Sequence, residues 1–126
     1  MANPGLTKSM IAESAITAYR IVKFGTADGQ VVPAAAATDA LVGIADNLGQ
    51  ATAGFRVDVI VDDIAEAEAG AAITRGAPLT SDASGRVVTA APAAGVNNRL
   101  IGIAMASAGA AGEIIPVLVS PSSMQG

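Results

Sequence analysis

The sequence predicts an all-β protein: a small compact β-barrel or sandwich built from two similar modules. Short Val- and Ile-rich runs are separated by Gly, Asp and Pro, which is typical of β-strands joined by turns. One of these runs alternates apolar and polar residues with a period of two. A set of short motifs also recurs in the same order further along the chain. At 126 residues, the chain fits a single domain.

The internal repeat is the most informative of these signals. Three motifs recur after 56, 58 and 59 residues, with glycines aligned as well as apolar residues: Gly29–Val32 with Gly85–Val88, Gly54–Val61 with Gly112–Val119, and Leu41–Ala45 with Leu100–Ala104. We therefore expect one β-rich domain over residues 16–120, with a repeat covering about residues 20–62 and 73–120.

Glycines and alternation define the elements within each copy. Hairpin turns are predicted at Gly29 and Gly85, because glycine tolerates the positive φ that tight turns require. Gly43 and Gly102 lie in mid-strand, where glycine marks a bulge or a close backbone approach. The segment 55–61 alternates cleanly except at Ile60, which falls on the polar face.

The ends and the connection between the copies are predicted to be less regular. Residues 1–15 are expected to form a flexible N-terminal arm, since Pro4-Gly5 interrupts regular structure, and residues 121–126 a loose tail. The Ala- and Glu-rich segment 65–70 predicts a helical turn. Pro116 predicts an edge strand or a bulge, because proline donates no ladder hydrogen bond.

Composition excludes most chemistries. The chain has no His and no Cys, which removes imidazole catalysis, thiol nucleophiles and zinc–thiolate sites, so we expect no enzyme and no cofactor. A net charge of −4 argues against nucleic acid as a partner. No apolar run approaches the length of a membrane span. A ligand-binding module is disfavoured because the aromatic residues Tyr19, Phe24 and Phe55 are few and are expected in the core.

One acidic cluster could bind a hard cation. Five carboxylates and no basic residue occupy positions 58–68: Asp58, Asp62, Asp63, Glu66 and Glu68. Oxygen ligands suit Ca²⁺, but the spacing does not match the twelve-residue calcium loop. We therefore interpret the cluster as a solvated surface, with contacts from Glu66 or Glu68 to Arg75 or Arg99 of a neighbouring subunit left open.

Three stretches together resemble a known family. They are Arg20–Gly25, the run Ile73–Asp82 with Gly85–Val88 after it, and Ile101–Ala106 followed by Gly112–Val119. In order and in glycine placement they resemble the bacteriophage head decoration, or capsid cement, proteins of the lambda-head-decoration type. The resemblance implies homotrimers on the outer surface of the virion capsid, at three-fold sites of an expanded icosahedral head, stabilising it against DNA pressure. It also implies a β-tulip-like fold, and it carries over no catalytic residue.

The resemblance also implies partners, namely the major capsid protein and further copies of the chain, with assembly in the host cytoplasm. The arm would contact the capsid, adding a strand to a sheet edge and becoming ordered only there, through Leu6, Thr7, Lys8, Met10 and Ile11. Small-residue turns, in which backbones approach closely, would hold the trimer through Ala106, Ala108, Ala110 and Ala111. A β-rich tail or baseplate subunit is the alternative interpretation.

Overall fold

The computed structural model describes residues 4–126, and these residues form one all-β fold. Within this range no helix is long and apolar enough to cross a membrane. The described residues form nine strands in this order: β1 (Pro4–Ala12), β2 (Ile21–Phe24), β3 (Gln30–Pro33), β4 (Leu41–Ala45), β5 (Arg56–Glu68), β6 (Pro78–Ser81), β7 (Val87–Thr89), β8 (Asn97–Ala104) and β9 (Ile114–Gln125).

The strands form one sheet with the order β1-β3-β2-β4-β5-β9-β8-β6-β7. Strand β1 also pairs antiparallel with β5, which closes the first five strands into a barrel. We define module 1 as β1 to β4 with residues 56–61 of β5. Module 2 consists of residues 62–68 of β5 with β6 to β9. Strand β5 therefore belongs to both modules, as the last strand of one and the first of the other.

The predicted repeat is confirmed in the strand pairing. In module 1, β2 pairs with β3 and β4, and β4 pairs with β5; in module 2, β6 pairs with β7 and β8, and β8 pairs with β9. Both hairpin glycines have positive φ, 79° at Gly29 and 79° at Gly85. Parallel contacts complete each module, Ala12 with Val31 in module 1 and Ala69 with Val87 in module 2.

Two hydrophobic clusters form the core. The first fills the barrel of module 1 and takes residues from all five of its strands, for example Met10, Val22, Val31, Ala45 and Val59. The second fills module 2 and extends to the outer side of module 1, because it also contains Ile21, Ile44 and Ile60. At this point β5 is covered on both faces. The apolar Ile60 therefore lies on the face that was predicted to be polar, and it interrupts the alternation.

The mid-strand glycines lie where backbones approach closely, as predicted. A Cβ on Gly43 would collide with the carbonyl oxygen of Ile60, and one on Gly102 with that of Leu118. Strand register also shifts beside each glycine, which is the predicted bulge. Only glycine fits these two equivalent positions without moving a neighbouring strand.

The structure corrects two predictions, the flexible arm and the helical turn. Both segments are strands, and they occupy equivalent positions in the two modules. Residues 4–12 of the arm form β1, and residues 65–68 of the turn belong to β5. In corresponding positions, Met10 pairs with Val57 and Ala67 pairs with Ile115. Both segments are the first strand of a module. The repeat therefore begins earlier than expected in each copy, because its first strand carries too little Val and Ile to be recognised.

The tail and Pro116 also differ from expectation. Residues 120–125 continue β9, and residues 122–125 pair with Asn97–Leu100, so most of the predicted loose tail is a strand. Pro116 lies in a central strand, opposite Glu66 of β5. The Pro116 carbonyl accepts a hydrogen bond from the Met105 N–H, just beyond the end of β8. In a strand, the nitrogen and the carbonyl of one residue point to the same side, so the Pro116 ring nitrogen faces Met105 and not β5. The missing donor thus costs no bond with β5.

Candidate interaction surfaces

The residues predicted to contact the capsid lie on β1, but they do not share one surface. Leu6, Thr7 and Lys8 are exposed, whereas the Met10 side chain is buried in the core of module 1 and Ile11 is half-buried. Burial removes Met10 as a direct contact. The expectation that this segment becomes ordered only on the capsid is also corrected, because β1 pairs with β5 along most of its length within the chain itself.

One edge of β1 remains accessible to a partner strand. On the side away from β5, β1 pairs with β3 only through Ile11 and Ala12. Among residues 4–126, no strand pairs with that edge over residues 4–10. Unpaired N–H and C=O groups on such an edge are a template for strand addition.

The predicted trimer contacts divide in the same way. Ala110 and Ala111 are exposed in the turn that follows β8, and Ala106 is half-buried. Ala108 is buried and forms an isolated bridge with Ile73 inside module 2, so its side chain does not reach the surface. The turn is held by the Glu113 carboxylate, which accepts a hydrogen bond of 3.0 Å from the Gly109 N–H.

An exposed apolar surface on module 2 was not anticipated. Ile103 and Leu118 are paired neighbours on β8 and β9, and they are 43% and 37% exposed. Met105 and Ile114, at 44% and 41%, lie further along the same two chain segments. We call these four residues the module-2 face. The sequence did contain a signal, because Ile103 and Leu118 repeat Ile44 and Ile60, which are buried.

Aromatic residues were also misplaced by the sequence argument. Phe24 and Phe55 were expected in the core, but they are 59% and 61% exposed. Phe24 lies two residues after the inward-facing Val22 on β2, so it continues that interior strand face beyond the filled part of the barrel. Phe55 lies just before the start of β5. The core is instead built from Val, Ile and Ala.

Charged groups join the two modules within one chain. The Arg20 guanidinium lies 3.2 Å from one Glu68 oxygen, and Arg86 lies 3.8 Å from the other. Arg86 also lies 3.2 Å from Asp82. Glu68 thus pairs with Arg20 of module 1 and with Arg86 of its own module. A contact from Glu66 or Glu68 to Arg75 or Arg99 of a neighbouring subunit stays a prediction.

The rest of the acidic cluster does not converge on one point. Asp58 and Asp62 are exposed, and Asp63 has a positive φ of 64°. In the part of the chain from residue 4 onward, no group of three or more carboxylates is arranged to hold a metal ion.

Two carboxylates elsewhere have lowered pKa values. Hydrogen bonds from the backbone N–H and the hydroxyl of Thr26 lower the pKa of Glu13. Burial opposes the ionisation of Asp39, but N–H donors from Ala35 and Ala36 and the charge of Lys23 outweigh it, so its pKa is lowered as well. Both groups fix loops beside module 1 and lie apart from the module-2 face.

Comparison with known proteins identifies the family. A family model described as phage cement protein matches residues 2–120 of the chain. The chain belongs to the phage cement protein family. This cement protein is thus a structural, capsid-associated protein of a bacteriophage virion. Comparison with curated proteins gave no match.

A solved structure has a similar fold. The cement protein is similar to the N base of head fiber gp8.5 in bacteriophage phi29, with a TM-score of 0.69 and 20% sequence identity. The similarity covers 96% of this chain and 98% of that chain, so it concerns the entire two-module arrangement. At this level of identity the likeness is one of fold.

Proposed function

We propose that this cement protein decorates the outer surface of an expanded icosahedral phage head, where homotrimers bind at three-fold sites and stabilise the shell against the pressure of packaged DNA. The family match over residues 2–120 carries the proposal. The similarity to a phage head fiber base supports a location on the head rather than on the tail. The partner is the major capsid protein, met after assembly of the shell in the host cytoplasm.

Strand β1 is the proposed capsid contact. Leu6, Thr7 and Lys8 offer an apolar, a polar and a cationic group in sequence, and all three side chains are exposed. The unpaired edge over residues 4–10 supplies backbone hydrogen-bonding groups beside them. A capsid strand added there would gain affinity from the backbone and selectivity from the side chains.

Trimerisation would make a modest contact sufficient. The β1 edge over residues 4–10 is short, so a single contact through it is expected to be weak. Three linked contacts raise the avidity by a factor on the order of 10² to 10⁴ without any new type of contact. A closed trimer also matches the symmetry of a three-fold site.

The contact is tested with expanded heads that lack the cement protein. Leu6→Asp and Lys8→Glu should each reduce binding in co-sedimentation by at least tenfold, because each replaces an exposed side chain on β1. Leu48→Asp is the matched control, since Leu48 is 81% exposed and lies on the connection between β4 and β5 rather than on β1. Wild-type binding by both β1 variants would contradict the placement of the contact on β1.

A further inference from the structure

The two modules carry corresponding rows of side chains across their strands. In module 1 the row runs through Ile21, Ile44 and Ile60, which are cross-strand neighbours. The same pairings in module 2 join Pro78, Ile103 and Leu118. Because strand register fixes which face a side chain occupies, the two rows occupy the same position on their modules.

The two rows differ in what covers them. Ile44 is fully buried and Ile60 is 8% exposed, because the module-1 row packs against the interior residues of module 2 in one cluster. Ile103 and Leu118 are 43% and 37% exposed. Module 2 therefore repeats an apolar surface that module 1 uses for packing, without a module of its own chain to cover it.

The surface of module 2 on which the module-1 row packs also has a counterpart in module 1. In module 2, Ser81 is buried on β6, at 3% exposed, and Ile101 and Val119, at 0% and 1%, lie in one hydrophobic cluster with the module-1 row. By register, their counterparts in module 1 are Phe24, Val42 and Val61. We call these three residues the module-1 rim.

Within residues 4–126, the module-1 rim is not fully covered. Phe24 is 59% exposed, and Val42 and Val61 are half-buried against the core of module 1. The rim also carries a phenylalanine where module 2 has Ser81, so its accessible part is more apolar than the site it repeats. Each subunit thus has both halves of the module–module contact exposed, one half on each module.

We propose that the module-2 face of one subunit packs on the module-1 rim of a second copy of this chain, repeating between subunits the contact that joins the modules within a subunit. This inference rests on the proposed homotrimer and identifies its contact. The arrangement is head-to-tail, and three such contacts close a ring. A second copy is the occupant because the internal contact shows that a module of this fold covers this surface.

The small-residue turn lies close to this contact but does not form its centre. Met105 belongs to the module-2 face and directly precedes Ala106, one of the alanines expected to hold the trimer. In the proposed ring, Ala106 lies at the border of the contact, while the central positions are occupied by Ile103 and Leu118. Ala110→Arg should therefore weaken the trimer less than Leu118→Asp.

The experiment uses one variant of each surface and their mixture. Leu118→Asp blocks the module-2 face, Phe24→Asp blocks the rim, and Met105→Asp is a second face variant located beyond the end of β8. Leu48→Asp is the control. Oligomeric state is measured by analytical ultracentrifugation, and circular dichroism with thermal unfolding verifies that each variant is folded.

A head-to-tail contact predicts complementation. Wild type and Leu48→Asp should be trimers, and each face or rim variant should be a monomer. An equimolar mixture of Leu118→Asp and Phe24→Asp should form a heterodimer, because one intact face and one intact rim remain. The mixture should not form a trimer, since the ring cannot close.

Each of the other outcomes would overturn the inference. If any of the folded variants Leu118→Asp, Met105→Asp or Phe24→Asp formed a trimer, the contact between subunits would lie elsewhere, although the proposed homotrimer would be supported. Monomeric variants whose mixture forms no heterodimer would exclude head-to-tail pairing. A wild-type chain that stays monomeric yet binds heads would overturn the inference and the trimer, while leaving the role on the capsid intact.

Discussion

Ile44 and Ile103 occupy the same position in the two modules, yet Ile44 is fully buried and Ile103 is 43% exposed. Each pairs with the corresponding residue of the following long strand, Ile60 or Leu118. The difference arises from packing between modules, because the face of module 1 that carries Ile44 rests on module 2. One repeated sequence motif therefore serves as core in one copy and as surface in the other.

This pair gives the first prediction. Ile44→Ala should lower the free energy of unfolding by about 2–5 kcal/mol, because it leaves a cavity in a packed core. Ile103→Ala should change it by about 1 kcal/mol or less in the monomer, because its side chain is already partly in water. Urea unfolding of both variants at low protein concentration measures the difference. Equal losses would contradict the assignment of Ile44 to the contact between modules.

The second prediction concerns the mid-strand glycines. Gly102→Ala should destabilise the fold by about 1–3 kcal/mol or more, because the new methyl group collides with the Leu118 carbonyl oxygen and forces the strands apart. Gly109→Ala is the control, since its nearest neighbour is the flexible end of the Glu113 side chain, 3.1 Å away. Thermal unfolding compares the two. A Gly102→Ala protein as stable as the control would show that the strands tolerate separation.

Much of the fold could be predicted from the sequence because its signals are local. Gly29 and Gly85 mark hairpins, and Gly43 and Gly102 mark close approaches, since each position requires glycine for a reason confined to its own strands. The order of the repeated motifs then gives the pairing order within each module. Gly85 and Gly102 also belong to the stretches that carry the family resemblance.

The first strand of each module could not be recognised in the same way. In residues 65–68 the inward side chains are Ala65 and Ala67, and alanine has no strand preference. These alanines are buried because larger residues from other strands surround them, which is a tertiary effect. In β1, Pro4-Gly5 concealed a strand whose pairing partner, β5, lies about fifty residues away.

The module-2 face and the module-1 rim were missed for a related reason. Alternation shows that Ile103 and Phe24 belong to apolar strand faces, but it does not show which faces are covered. Burial depends on how the two modules pack, and that packing is not encoded in the period of either strand.

The third prediction concerns the two charge pairs of Glu68, one with Arg20 of module 1 and one within module 2. Glu68→Gln should lower stability by up to about 1 kcal/mol at low salt, and by less at high salt, because its partners Arg20 and Arg86 are partly exposed and screened. Glu66→Gln is the control, since Glu66 precedes Glu68 by two residues on the same strand and has no ion pair within residues 4–126. Equal effects of the two substitutions would argue against the charge pairs.

The fourth prediction is a loss of stability in acid. The pKa of Asp39 is lowered in the folded chain, so its contribution is present at neutral pH and is lost as the pH falls below the ordinary carboxylate range, about 4. Asp39→Asn should remove that contribution at neutral pH and flatten the dependence between about pH 5 and pH 2. Asp28→Asn, in an exposed turn, is the control. An unchanged pH profile for Asp39→Asn would contradict this role.

The central claim is that this cement protein binds the outside of an expanded head. Co-sedimentation of the wild-type chain with expanded and unexpanded heads that lack it tests that claim most directly. The account predicts binding to expanded heads alone, saturating near one trimer per three-fold site. Absence of binding to either form would contradict the claim and favour a tail or baseplate assembly as its place on the virion.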